Sequence, residues 1–356
     1  METSVKTLMS KEMAEANTPF IHDAWYVVAL GSEIGRTPMA RTVLGHSLVL
    51  YRTAAGAPVA LQNRCCHRGF PLAHGHLEGD TIVCGYHGLR YDASGRCVEI
   101  PMQTSVPEAV KVRGYATVEL GDFVWIWMGE ASRAHDSSPS HPEWMNHPQW
   151  DARSGYLHVK GNYVHLHENL LDLSHLSFLH AKTFGTPEYA RAPVENRIDG
   201  TDIQVWRQVE CRLPAIYAEP LGWKGERALR MSGSQYVAPG VHVNTGIFRN
   251  LDRPEASEQL QPTVKVAQLI TPETQHSTHY WTVQARNFAR GRPEMSDFMI
   301  QQQLAAFQED LFAIERITEL QQLESGREVQ QISLPTDRAG ITMRRHLKYL
   351  AELEQR

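Results

Sequence analysis

Residues 63–92, NRCCHRGFPLAHGHLEGDTIVCGYHGLRYD, place three cysteines and four histidines in thirty positions of a 356-residue chain that has 5 cysteines in all. Among them Cys65, His67, Cys84 and His87 follow the spacing C-x-H-x16-C-x2-H. Two such pairs on separate turns can meet at one cluster, offering two thiolates and two imidazoles. Two Cys and two His also suit a tetrahedral zinc site, which is the alternative. A zinc finger, however, groups its cysteines together and its histidines together, whereas here each pair holds one of each. That mixture serves a two-iron, two-sulfur cluster in which one iron takes both thiolates and the other both imidazoles, so that each loop feeds both metals. Neutral imidazoles in place of two thiolates raise the potential and tune the centre for electron transfer. Gly69, Gly85 and Gly88 read as places where backbone approaches inorganic sulfur closely, or as plain turn glycines. His74 and His76 follow His67 too closely for both to join the cluster. Cys66 reads as a spare thiol facing away from its neighbours in an extended loop, and Cys97 and Cys211 as small buried side chains.

A second constellation lies in NYVHLHENLLDLSHLSFLH, residues 162–180. Asp172, His175 and His180 fall at i, i+3 and i+8, so one iron could take both imidazoles if the helix bends or loosens near them. Two His ligands ask for a carboxylate, and the resulting triad leaves positions open for dioxygen. Asp172, Glu168, Glu309, Asp310 and Glu315 are the candidates. Asp172 stands where it can accept a hydrogen bond from the His175 ring. Asp310 lies in LAAFQEDLFAIE, flanked by Phe307, Leu311 and Ile314, and a carboxylate on a core-facing helix needs a partner such as a metal. The bland alternative makes Glu309 and Asp310 solvent-facing residues of an amphipathic helix.

The elements that must hold these residues change character near residue 130. WYVVAL, RTVLGHSLVLYR, APVALQNR, TIVCGYHGLRYD and FVWIWMG are short Val-, Leu-, Tyr- and Trp-rich runs bounded by turn residues, the pattern of a small antiparallel domain over 20–130. Residues 1–19 read as a flexible or peripheral, partly helical lead. A polar Pro- and Ser-rich stretch makes 131–161 a linker and the start of a second domain, 162–356. There Leu166, Leu170, Leu173 and Leu176 recur at helical spacing, strand-like segments fill about 195–288, and 294–324 is the strongest helix signal. The expected class is α+β: an all-β N-terminal domain, then an antiparallel sheet flanked by helices. Bulk properties bound the rest. A formal charge of −5 without a block of Lys and Arg argues against nucleic-acid binding. No apolar run reaches the roughly 18 residues of a membrane helix. The first twenty residues lack the apolar core of a secretion signal, so a cytoplasmic protein with reduced thiols is expected.

Together the two constellations resemble the Rieske non-heme iron oxygenases, in their terminal oxygenase component, and among these the shorter members typified by the vanillate and dicamba O-demethylases. The similarity covers nearly the whole chain. AWYVVAL at 24–30 matches the family's opening strand, and Cys65, His67, Cys84 and His87 match its cluster motif, with Arg68 and Gly69 following and Gly85 and Gly88 beside the second pair. ENLLDLSHLSFLH matches its iron motif, with Glu168 in place of the usual first Asp, Asn169 and Asp172 retained, and His175 and His180 on the two ligands. LITPET, ARNF and FQED match later landmarks of this subgroup, and the last assigns the third ligand to Asp310.

The resemblance implies a Rieske cluster and one mononuclear Fe(II), with dioxygen as co-substrate. Electrons would come from NADH or NADPH through a flavin and iron-sulfur reductase, directly or by way of a ferredoxin. A homotrimer is implied, in which His87, Asp172 and His175 bridge neighbouring subunits. It further implies monooxygenation of a small aromatic acid, by O-demethylation with formaldehyde release; N-demethylation, ring hydroxylation or dihydroxylation would use the same metals. Positions matching the herbicide demethylase pocket are His242, Gln268 and Gln301, the last two replacing a His and a Trp. Arg207, Arg249 and Arg286 are candidate partners of a carboxylate or sulfonate, against a surface or structural role. Two other classes compete: a Rieske electron carrier, which leaves His175 and His180 without a purpose, and a zinc-stabilised structural protein, which explains the first four ligands alone.

Overall fold

Strands form where alternating apolar runs are punctuated by turn residues, and helices where the apolar spacing lengthens to three and four. The computed structural model describes residues 8–101, 103–257, 261–324 and 331–355. The chain divides into two compact units, one of His22–Pro139 with Thr271–Thr274, the other of the segment ending at Ile21, Ser140–Ile270 and the chain from Gln275 onward.

The first unit contains β1 (Trp25–Leu30), β2 (Met39–Val43), β3 (His46–Arg52), β4 (Pro58–Gln62), β5 (His76–Glu78), β6 (Thr81–Val83), β7 (Arg90–Tyr91), β8 (Cys97–Glu99), β9 (Gly114–Tyr115), β10 (Thr117–Leu120) and β11 (Phe123–Trp127). They pair as three sheets in the orders β1-β11-β10, β2-β3-β4-β9 and β5-β6-β7-β8. Every residue of β11, FVWIW, is buried, so this strand is covered on both faces rather than alternating. Val49, Tyr51, Leu61, Leu72, Ile82 and Tyr91 form one core with Cys65, Cys84 and Cys97. The two cysteine-bearing turns are thus rooted in packed side chains, and Cys97 is the buried filler expected of it.

The second unit contains β12 (Asp151–Val159), α1 (Tyr163–Leu171), β13 (Glu195–Asp199), β14 (Asp202–Arg212), α2 (Ala215–Leu221), β15 (Arg227–Ala238), β16 (Val241–Asn250), β17 (Thr263–Thr274), β18 (Ser277–Arg286), α3 (Pro293–Leu323) and α4 (Arg338–Leu353). Its antiparallel sheet has seven strands in the order β12-β18-β17-β16-β15-β14-β13. Along β14 burial alternates residue by residue, as the two-residue side-chain period of a strand requires. Met299, Gln303, Phe307, Asp310, Leu311 and Ile314 form the buried stripe of α3, which packs on β12 and β18. The class is the expected α+β. Within the strand-like region, α2 is a helix where strands were expected. Residues 9–19 are irregular rather than helical: Ser10 N–H donates to Arg345 O (3.1 Å), Arg344 Nε to Ala14 O (2.9 Å), and Ala14 and Thr18 are buried. Among the described residues no helix is long and apolar enough to cross a membrane.

Candidate metal centres

Both cysteine turns share one backbone design. Cys65 N–H donates to Phe70 O (2.9 Å) and Gly69 N–H returns to Cys65 O (2.9 Å); Cys84 N–H donates to Leu89 O (2.8 Å) and Gly88 N–H to Cys84 O (3.0 Å). Each turn closes through a glycine in the left-handed region, Gly69 at φ +73° and Gly88 at φ +74°, where a Cβ would be strained. Gly85 serves the other purpose: a Cβ there would come within 3.0 Å of His74 O, so it lets the two turns approach each other. The cysteines point inward and are buried, while the His67 and His87 rings stand at the surface with centroids 4.5 Å apart. Arg68 is exposed beside them. Burial and the neighbouring Cys65 push the Cys84 thiol above its ordinary range, so the pair calls for a cation to hold both as thiolates. No three of these four residues converge on a single-ion point, which disfavours one zinc and suits the wider spread of a two-iron cluster.

Cys66 departs from its expected position. It lies in the turn rather than an extended loop, exposed, and its Sγ faces inward to Tyr91 Oη at 3.3 Å, the hydroxyl that also meets Cys65 Sγ at 3.1 Å. The turn needed to close on Gly69 rotates both thiols to one side. Burial, followed by the two sulfurs, keeps the Tyr91 phenol protonated, so its O–H donates to sulfur. Hydrogen bonds to cluster sulfurs stabilise the reduced state. Tyr91→Phe is expected to lower the cluster potential by about 40 mV, one hydrogen bond of about 1 kcal/mol in a one-electron couple. Spectroelectrochemistry of the cluster reads this directly, and an unchanged potential would dismiss the hydrogen bond.

The second centre depends on where α1 stops. Asn162 caps its start, its Oδ1 accepting from Val164 N–H at 2.9 Å. At the other end Asp172 Oδ1 accepts from Ser174 N–H at 2.6 Å, a side-chain turn that competes with the helix, and Asp172 has left helical geometry at φ −101°, ψ 108°. His175 then opens a short 3-10 turn, His175–Ser177. This break brings the two histidines onto one carboxylate. His180 Nε2 lies 3.1 Å and His175 Nε2 3.5 Å from Asp310 Oδ1, and their rings are 5.0 Å apart. Among the described residues, this is the one cluster of three His, Cys, Asp or Glu donors within 4.8 Å of one another. The donor set fits a mononuclear iron, because two imidazoles and a carboxylate leave coordination positions free.

The outer partners of these groups are equally ordered. His180 Nδ1 donates to Glu309 Oε2 (2.7 Å), which also receives Thr183 Oγ1 (2.7 Å), so Nε2 is the nitrogen turned to the metal. Asn169 Nδ2 donates to Asp310 Oδ1 at 3.0 Å. His175 Nδ1 lies 3.7 Å from Asp172 Oδ2, an ion-pair rather than a hydrogen-bond distance. The remaining candidate carboxylates are occupied elsewhere: Glu168 pairs with Arg344 (3.1 Å) and Glu315 accepts from Lys160 N–H (3.2 Å). Glu309, read as a ligand or a solvated residue, instead orients a ligand.

Known proteins agree with this reading of both centres. The family model of the Rieske [2Fe-2S] domain matches residues 24–112, and that of the vanillate O-demethylase oxygenase C-terminal domain matches residues 159–353, more than half of the chain. The chain belongs to the Rieske non-heme iron oxygenases. Toluene-4-sulfonate monooxygenase system iron-sulfur subunit TsaM1 of Comamonas testosteroni is 35% identical over 310 residues, 83% of this chain and 87% of its own. The vanillate O-demethylase oxygenase subunit of Pseudomonas sp. (strain HR199 / DSM 7063) is 29% identical over 350 residues, 94% and 96% of the two chains. The crystal structure of dicamba monooxygenase bound to 3,6-dichlorosalicylic acid superposes with a TM-score of 0.88 at 28% identity, covering 95% of this chain and 99% of that one. The protein is therefore a terminal oxygenase, and the electron-carrier and zinc readings fall.

Beside its iron triad this Rieske oxygenase has a cavity walled by Leu173, Leu176, Phe184, Phe307 and residues of β15 to β17. The Phe184 ring is 5.5 Å from that of His180, and Phe307 lies one turn before Asp310. Of the three pocket residues inferred from resemblance, Gln268 lines the cavity. Gln301 does not: it is exposed on α3, and Gln303, about 200° round a helix of about 3.6 residues per turn, takes the cavity position. His242 is also absent from the wall. It is buried against α1, with Nε2 2.6 Å from His167 Nδ1, and His167 Nε2–H donates to Pro239 O (2.8 Å). That bond leaves His167 Nδ1 as the acceptor and His242 Nε2–H as the donor. The neutral pair, both rings held below their usual range by burial, fastens α1 to the sheet.

The arginines sort as clearly. Arg249 is exposed. Arg207 donates to the carbonyls of Leu173, Tyr189 and Ala192, and Arg286 to those of Phe288, Ala289 and Arg292 with Asp151 at 3.3 Å. Both are structural. The arginine that does reach the cavity, Arg230, escaped the sequence reading, although the two-residue period of β15 puts it on the buried face with Ala228 and Ser232.

Proposed function

We propose that this oxygenase monooxygenates a small aromatic acid by oxidative O-demethylation, with release of formaldehyde. The reading is carried by a cavity of aromatic and leucine side chains beside the iron triad, in a chain whose relatives include a vanillate O-demethylase subunit. NADH or NADPH is the electron source, through a flavin and iron-sulfur reductase, directly or by a ferredoxin. When bound, the cluster supplies single electrons and the mononuclear iron supplies dioxygen activation. Cys65, Cys84, His67 and His87 would hold the first, and His175, His180 and Asp310 the second. Glu309 and Asn169 fix His180 and Asp310, while Phe184, Phe307 and Leu176 exclude water and present the substrate C–H. In sum, dioxygen, two electrons, two protons and a C–H group give C–OH and water. Where that carbon also bears an ether oxygen, the hemiacetal collapses to a phenol and formaldehyde.

The working protein is a cytoplasmic homotrimer in this reading, and electrons pass between subunits from His87 by way of Asp172 to His175. One observation favours a second reaction: the 35% identity to a toluene-4-sulfonate monooxygenase subunit, which suits hydroxylation of a methyl group on an aromatic sulfonate. Methoxy-, methyl-, methylamino- and unsubstituted aromatic acids, given to the enzyme with a surrogate reductase, decide between them. The expected result is formaldehyde and a phenol from a methoxy acid, identified by mass. A benzylic alcohol or ring-hydroxylated product without formaldehyde from any methoxy acid would overturn the O-demethylase reading. Oxygen uptake without product counts as uncoupling only.

A further inference from the structure

Arg230 is 4% exposed, yet among the described residues no carboxylate lies within ion-pair distance of it. Its guanidinium is stacked between two rings, with its central carbon 4.8 Å from the Tyr189 centroid and 5.0 Å from that of Tyr217. The stacking covers the faces of the cation and leaves its N–H edge to find partners. One is present, Phe184 O, which receives Nη1–H at 2.7 Å. Nε is buried with no acceptor at all. Arg207 and Arg286 also have an unpaired Nε, but several carbonyls, and for Arg286 a carboxylate, engage their other nitrogens. Arg230 alone of the three lines the cavity beside the iron triad.

A buried cation without a counter-ion is costly, and five donors in a fixed fork match the oxygens of a planar or tetrahedral anion. Aromatic faces strengthen that fork by removing water without neutralising it. Two further cavity groups are left open: Gln268 Nε2, its Oε1 being held by Tyr280 Oη, and Gln303 Oε1, its Nε2 being held by Thr282 Oγ1. They offer one donor and one acceptor to a substrate's other polar groups. We infer that Arg230 binds the oxyanion of the substrate, a carboxylate or sulfonate on a small aromatic ring, and so selects anionic over neutral substrates. This rests on the proposed function above and adds the residue that enforces its substrate class.

The test uses the enzyme with both metal centres loaded. Calorimetric titrations with 4-methoxybenzoate, 4-methylbenzenesulfonate and the neutral amide of each are compared for the wild type, Arg230→Gln and Arg230→Lys. The wild type is expected to bind at least one anion about 30-fold more tightly than its amide, as loss of charge-assisted hydrogen bonds implies. The preferred anion distinguishes carboxylate from sulfonate. Arg230→Gln should abolish the preference by weakening the anion while leaving the amide within about 3-fold, with cluster spectrum and melting temperature retained. If Arg230→Gln does not fold, Arg230→Lys still decides, because loss of the fork should weaken the anion and not the amide. Equal loss for anion and amide, or a wild type that prefers neither anion over its amide, would overturn the inference. Product analysis separates the two proposals: Arg230-dependent anion binding without formaldehyde removes O-demethylation and keeps Arg230. Formaldehyde from acid and amide alike does the reverse.

Discussion

Replacing His175 with alanine is expected to strip the mononuclear iron from the protein, keep the cluster, and reduce product formation to background. The triad would be left with His180 and Asp310, whose donors lie 3.1 Å apart, and two ligands do not fix a divalent iron against dissociation. The fold has little reason to fail. His175 is partly exposed at the start of a short turn, whereas the helix before it is held by the Asn162 cap and by the buried His167–His242 pair. The cluster ligands belong to the other compact unit, so their charge-transfer spectrum should not move. Iron content read beside that spectrum checks the outcome. Full activity in the variant would remove His175 from the site.

Asp172→Asn is expected to leave both metals in place and slow substrate-coupled oxidation by about 100-fold, the upper range for a residue that supports a ligand rather than binding the metal. Asparagine is the same shape, and its Oδ1 can still accept from Ser174 N–H, so the helix should end where it does now. What disappears is the negative charge 3.7 Å from His175 Nδ1. In the native protein burial works to raise this carboxyl, but the hydrogen bond from Ser174 N–H and the attraction of His175 outweigh it and hold the group below the usual carboxylate range. An imidazole facing an amide loses its electrostatic partner and its preferred proton position. Single turnover of the prereduced enzyme isolates the step, since no reductase is needed. An unchanged rate would show that the charge has no part in it.

The legible parts of the molecule are those where chemistry and local geometry coincide. Cys65, His67, Cys84 and His87 could be read because each turn closes over four residues onto a glycine, a constraint visible in the spacing itself. Asp310 was one of five candidate carboxylates because a buried carboxylate on α3 needs a partner, and the family resemblance singled it out. Glu309, its neighbour, was ambiguous for the same reason: adjacent helical residues point about 100° apart, and only the fold shows that His180 fills the space beside it. Gln301 and Gln303 have the same side chain two positions apart, about 200° round the helix, so residue type alone does not separate the solvated position from the one on the cavity. For Arg207, Arg249 and Arg286 the surface or structural alternative holds, and Arg230 went unread. What separates Arg230 from Arg207 and Arg286 is the number of carbonyls around each, a property of distant loops that no local pattern encodes.

Metal and sulfide analysis of the intact chain, reconstituted without oxygen, tests the central claim most directly. A Rieske cluster and one 2-His-1-carboxylate site require three irons and two acid-labile sulfides per chain. Zinc without sulfide, or two irons with two sulfides and no third iron under any loading condition, would contradict it.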